Sequence, residues 1–187
     1  MKRVVLLLSF VVCCVMSLFA KSDVTLKSGS LSKLKTSKAK VYVVWDYSHA
    51  TLEGQDVKTF LKEKGKEWER DYKAELERAE ANFMERFNDK TKSVTITDKK
   101  SEADYTIVIE VKDFHYGSTG ASVLIGFGAG DAHMSALMNL YEKNMKQPFA
   151  VIDVDGVAGE GFGNEKRRIE TYRELAEQVV KLIKKAK

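Results

Sequence analysis

Apolar residues recur along this chain with two different spacings, and the spacings predict its elements. Residues 40–48, KVYVVWDYS, are β-branched, aromatic and almost wholly apolar. Such a run reads as a strand buried on both faces and central in its sheet. Over residues 56–89 the period changes. Val57, Phe60, Leu61, Trp68, Tyr72, Leu76, Ala79, Phe83 and Phe87 follow each other mainly at three and four, with Lys, Glu and Arg between them. This is the stripe of an amphipathic helix, and its aromatic side chains are expected in the core. Asp56 is placed to start it, Asn88-Asp89 to end it, and Gly65 to kink it. A short strand at 93–97 and a charged turn follow.

In the segment from Tyr105 to Tyr116, Ile107, Ile109 and Val111 alternate against Thr106, Val108 and Glu110. In 132–142, Met134, Ala136, Met138 and Leu140 share one face. Residues 149–155 form the partner strand. The last segment places Ile169, Tyr172, Leu175, Ala176, Val179, Leu182 and Ile183 on one helical face, with Asn164 as its N-cap. The order is strand, helix, four strands, helix. It predicts an α/β two-layer sandwich, a mixed sheet of about five strands with two amphipathic helices packed on one face. The domain spans residues 40–187. Residues 21–39, rich in Ser, Lys and Thr, read as an exposed lead-in with one short edge strand near 24–26.

The first 20 residues have a different layout. Lys2 and Arg3 precede an apolar run, and Ala20 offers a small residue before polar Lys21-Ser22-Asp23. This is the pattern of a secretory signal peptide cleaved after Ala20, so the mature protein is expected in the periplasm or outside the cell. Both cysteines, Cys13 and Cys14, lie inside it. Either could be an acylation site, but Phe10-Val11-Val12 before Cys13 is a poor lipobox, and the mature chain is left without disulfide or thiolate chemistry. The formal charge of +4 includes two basic residues and no acid from this segment, so the remainder carries +2. A value so near zero gives no reason to expect nucleic acid as a partner. No stable membrane span is expected after cleavage.

Two glycine-rich stretches raise the question of ligand chemistry. In VLIGFGAGDAHM, residues 123–134, Gly126, Gly128 and Gly130 alternate; in 156–164, Gly161 and Gly163 precede Lys166, Arg167 and Arg168. If strands 105–116, 132–142 and 149–155 form a meander, both loops lie at one end of the sheet. A helix N-terminus there, with Lys166 and Arg167, would suit a phosphate or carboxylate. The established phosphate motifs nevertheless fail. No Gly-Lys-Ser/Thr closes a P-loop, and the third glycine of a dinucleotide fingerprint is replaced by Asp131 in one stretch and Asn164 in the other. Backbone geometry is therefore the expected role of these glycines, with Arg167 and Lys166 dispensable for stability. His115 lies near Asp113 and His133 near Asp131, without metal-ligand spacing on one helix; no metal, cofactor or catalytic residue is expected.

The segment ADYTIVIEV, the glycine run, the apolar strand pair and the closing helix together resemble a group of uncharacterised bacterial envelope proteins. These are similar in plan to the N-terminal domain of TolB and to the periplasmic domain of the curli secretion-channel protein. The resemblance covers residues 40–187. It implies a mixed sheet with helices on one side and a role in binding or assembly, with another envelope protein or a second copy as partner. It transfers no active-site residue. The channel protein also carries a lipid and membrane hairpins; the missing lipobox and second long amphipathic strand pair depart from that pattern. The reading is a non-enzymatic exported envelope protein. The alternatives are an anion- or nucleotide-binding protein using the two glycine loops and an accessory subunit of an outer-membrane secretion complex.

Mass spectrometry of the exported chain is expected to find Lys21 as its first residue. An intact Met1, or an acyl group on Cys13 or Cys14, would overturn the signal-peptide reading.

Overall fold

The computed structural model describes residues 23–36, 38–117 and 130–187. The expected signal peptide at 1–20 and the glycines Gly126 and Gly128 lie outside the described residues. The elements are β1 (Asp23–Gly29), α1 (Ser32–Thr36), β2 (Ala39–Asp46), β3 (Thr51–Leu52), β4 (Gln55–Asp56), α2 (Val57–Lys64), α3 (Lys66–Lys90), β5 (Val94–Ile96), β6 (Tyr105–His115), β7 (Ala132–Glu142), β8 (Ala150–Gly159) and α4 (Asn164–Lys185). The strands form one mixed sheet in the order β1-β8-β7-β6-β2-β5, with the β3–β4 hairpin joined to β6 through β3. β2 runs parallel to β5 and β6, and β3 runs parallel to β6. β6, β7 and β8 form the expected antiparallel meander. This is the predicted α/β sandwich with a wider sheet, eight strands in place of about five.

The added strands come from segments without a long apolar run. β3 and β4 are two residues each, joined through Glu53 and Gly54 at φ 53° and 74°. β1 pairs along most of its length with β8, and Leu31 and Leu34 beyond it are buried. The lead-in expected to be exposed is exposed at residues 25–30, yet it forms an edge strand and a short buried turn of the domain. β2 has β6 and β5 as neighbours, but only Ala39 and Val41 are fully buried, so it is not covered on both faces as its composition suggested. One side holds Val41, Val43 and Trp45 against the helices; the other leaves Tyr42 and Val44 half-buried.

The long helix divides at Gly65, whose φ of 96° ends α2 and begins α3. Asp56 caps α2 by accepting from the Thr59 N–H at 3.0 Å. α3 runs to Lys90, just past the expected stop at Asn88-Asp89. Its apolar stripe enters the core: Ala79, Phe83 and Phe87 are at most 1% exposed, and the Phe83 ring stands edge-on to Trp45 at 5.2 Å.

Charged and polar side chains also lie within the helix–sheet layer. Arg168 of α4 is 1% exposed. Its Nε donates to Glu75 Oε1 of α3 at 2.6 Å, its Nη2 donates to the Tyr116 hydroxyl at 2.5 Å, and that hydroxyl donates to Glu75 at 3.0 Å. The guanidinium carbon stands 4.2 Å from the Phe114 ring centre and 4.9 Å from those of Tyr72 and Tyr116. A buried charge survives only when it is paired and hydrogen-bonded, and the triangle with its aromatic walls meets that demand. A second link joins β2's end to both long helices: the Tyr47 hydroxyl donates to Glu80 at 2.7 Å and meets the Tyr172 hydroxyl at 3.0 Å. Burial pushes the Tyr172 phenol up to about 12.

α4 approaches the sheet closely at Gly159. A Cβ there would lie 2.1 Å from Thr171 Oγ1 and 2.3 Å from the Arg167 carbonyl oxygen, so any larger residue would push the helix away. No described helix is long and apolar enough to cross a membrane.

Two stability measurements follow. Arg168→Ala leaves Glu75 buried without its cation and is expected to cost about 3–5 kcal/mol in a urea melt. Adding Glu75→Leu should recover part of that loss, whereas additive losses would show that the pair is not coupled. Phe83→Ala is expected to cost about 3–5 kcal/mol by leaving a cavity; an unchanged melt would show that the α3 stripe is not core.

Candidate functional site

The antiparallel order of β6, β7 and β8 puts His115, Ala132 and Gly159 at one end of the sheet, so the two glycine-rich stretches are neighbours as expected. Gly117 leaves β6 at φ 73°, and a Cβ on it would stand 2.1 Å from the Gly130 carbonyl oxygen. Gly117 and Gly130 thus meet in a neck that glycine permits. The second stretch is shorter than expected, because β8 continues to Gly159 through a bulge at Asp155-Gly156.

Arg167 joins the two stretches. It is 2% exposed, and its Nε donates to the Gly161 carbonyl while its Nη1 donates to the Tyr116 carbonyl, both at 2.9 Å. Its guanidinium is therefore built into the backbone of this end of the sheet, where the sequence led to the expectation of little contribution to stability. Lys166 is exposed and pairs with Glu170 at 2.6 Å, its stem lying over Gly161. Glu165 pairs with Arg78 at 2.5 Å. Gly161 and Gly163 have φ of 143° and 84°. Gly163, not Asn164, is the N-cap of α4, and no side chain bonds the cap. Of the residues considered for an anion, Gly161, Lys166 and Arg167 line one groove, and both cationic side chains bond protein oxygens.

Beside this end, an open groove of about 610 Å³ runs between the loop after β8 and the outer face of α4. Lys166, Glu170, Arg173 and Glu177 line it, with Arg86 of α3 opposite. Within the wall Arg86 pairs with Glu177, and Lys166 and Arg173 pair with Glu170, while Asp131, Glu160 and Glu174 also line it. Phe162 stands at its rim with 84% of its surface exposed, between two glycines.

On the opposite face of the sheet the structure assembles a group that no sequence spacing marked. Asp113, His115 and His133 offer one ligand atom each within 4.8 Å of one another. β6 bulges between Val111 and Asp113, which oppose Ala136 and Ser135 of β7. The extra residue, Lys112, reverses the phase of the strand. Val111, Phe114 and Tyr116 all turn inward, and Asp113 and His115 turn out. His115 Nε2 lies 2.6 Å from Asp113 Oδ2, and its Nδ1 lies 3.1 Å from Glu53 Oε2. Glu53 is held in turn by the Tyr116 N–H, which donates to Oε1 at 2.7 Å. Thr51 donates its hydroxyl to Asp113 Oδ1. The His133 ring stacks on His115 at 4.5 Å. Partial burial, and then the neighbouring His115, hold His133 below the ordinary histidine value. The i, i+2 spacing of Asp113 and His115 was a visible sign of a shared strand face; Glu53 and Thr51 reach them only because β3 pairs with this part of β6.

No protein-family model and no curated protein matches the chain. Among solved structures it is similar to a PelC dodecamer from Paraburkholderia phytofirmans, at 11% identity and a TM-score of 0.47, over 88% of this chain and 98% of that one. A single-substitution variant of that PelC gives 12% identity and 0.46 over the same shares. A Xanthomonas campestris protein of the family DUF330 gives 9% identity and 0.39, over 76% of this chain and 81% of that one. These neighbours are neither TolB nor the curli secretion-channel protein. At such identities and scores the likeness carries no statement about what this chain binds.

Proposed function

We propose that this chain is a non-enzymatic binding or assembly module of the bacterial envelope, exported by its first 20 residues. The observation that carries the binding reading is Phe162. An aromatic side chain 84% exposed at the rim of an open groove lacks the burial that would justify it within the fold. Aromatic anchors of this kind supply much of the binding energy where a partner covers them. The glycines on either side set the phenyl ring out from the body of the domain, while Arg167 holds the base of the loop to β6 through Tyr116. The mixed signs of the groove lining, four basic and five acidic residues, favour a partner recognised by shape and apolar contact over a highly charged one. The partner is another envelope protein or a second copy of this chain.

A photo-crosslinking amino acid placed at position 162 in intact envelopes is expected to yield discrete adducts, with position 58, exposed on α2, as the control. Phe162→Ser should abolish copurification of the crosslinked partner while shifting stability by no more than about 0.5 kcal/mol, as for other surface substitutions. Adducts no stronger than those from position 58 would overturn the reading. So would a saturable, Lys166-dependent rise in melting temperature with nucleotide or phosphate, which would move it to anion binding.

A further inference from the structure

The outward group on β6 and β7 has the parts of a metal centre, and its position has no part in the Phe162 reading. We propose that Asp113, His115 and His133 bind one divalent transition-metal ion of the zinc class. Two imidazoles and one carboxylate form a borderline N₂O donor set, which suits zinc and its first-row neighbours better than calcium or magnesium. Zinc-bound ligand atoms stand about 3.3 Å apart in a tetrahedron with bonds of about 2.0–2.1 Å. The three atoms here already lie within 4.8 Å of one another, so small side-chain rotations complete the set. The ion takes the place of the hydrogen between His115 Nε2 and Asp113 Oδ2, and that proton leaves to solvent.

The outer partners distinguish this group from a chance cluster of polar side chains. Metal-bound histidines characteristically donate their second ring nitrogen to a carboxylate or carbonyl, which fixes the tautomer and aims the ring. His115 has Glu53 in that position at 3.1 Å. Asp113 has the Thr51 hydroxyl on its other oxygen. Glu53 is itself oriented by the Tyr116 N–H. Asp113 and His115 thus carry support from β3 and the β3–β4 turn, and His133 stacks on His115. His133 is exposed and Asp113 and His115 are part-exposed, so the ion has a path from solvent and an open coordination position for water or a further ligand. Bound there, it ties β6 to β7 beside the neck at Gly117 and Gly130.

The test uses the tag-free exported chain, freed of metal by chelation and titrated with Zn²⁺ by calorimetry, with Co²⁺ as a spectroscopic probe. The expected result is one saturable zinc site, a melting temperature that rises with zinc concentration, and visible Co²⁺ absorption bands showing nitrogen ligation. His133→Ala, an exposed position that leaves the fold intact, should abolish all three; His49, the remaining histidine, stays in place throughout. Glu53→Gln should weaken zinc by about 10–100-fold while the Co²⁺ bands persist. Absence of a saturable zinc site, or a site unaffected by His133→Ala, would overturn the proposal and leave the group as a hydrogen-bonded strand surface.

Discussion

A single extra residue in β6 organises both faces of this sheet. Strict alternation from Ile107, Ile109 and Val111 would carry Asp113 and His115 into the core, where an ionised side chain without a partner is intolerable. The bulge at Lys112 shifts the phase by one position instead. Phe114 and Tyr116 turn inward and supply two of the three aromatic walls around Arg168. Asp113 and His115 turn outward and meet His133. β8 has its own bulge at the same level of β7, so Ser135 is flanked by irregular pairing on both sides and its hydroxyl accepts from the Gly156 N–H at 3.4 Å. The end of the sheet is bent by these two bulges, and the functional features of the molecule all lie beyond them.

The polar groups of that end divide according to burial. Arg168, Glu75 and Tyr116 are sealed between helices and sheet and bond to one another in a triangle. Such a cluster locates α3 against α4. Arg167 is equally committed, to two main-chain carbonyls. Asp113, His115 and His133 face solvent, and the hydrogens between them are exchangeable for an ion. Cations at the start of a helix suggest an anion site, yet here Arg167 bonds main-chain carbonyls and Lys166 pairs with Glu170, while the histidine group lies on the other face.

The glycines follow the same logic. Gly117 and Gly159 stand where another chain segment passes too near for a Cβ: the returning strand at one, α4 at the other. Gly161 and Gly163 shape a short loop whose exposed residue is Phe162. Backbone geometry accounts for Gly117, Gly159, Gly161 and Gly163.

What the linear pattern determined is the set of long elements. Period-two runs set β6, β7 and β8, period-three-to-four runs set α3 and α4, and Gly65 marked the break between α2 and α3, because burying one apolar face is a local demand written at each position. Short elements escaped it. β3 and β4 bury too little apolar surface to leave a signature, and β1 looks like a polar lead-in because an edge strand with exposed side chains has no apolar run to betray it. The continuation of β8 past Gly156 was equally illegible, since a glycine in a strand is read as its end unless the partner strand is known. The fates of Arg167 and Arg168 were decided by position on α4 relative to a sheet made elsewhere in the chain. The meeting of Glu53, Asp113, His115 and His133, spread over 80 residues, required a bulge, a parallel pairing and an antiparallel one at once. Those are relations between segments, and only the tertiary structure contains them.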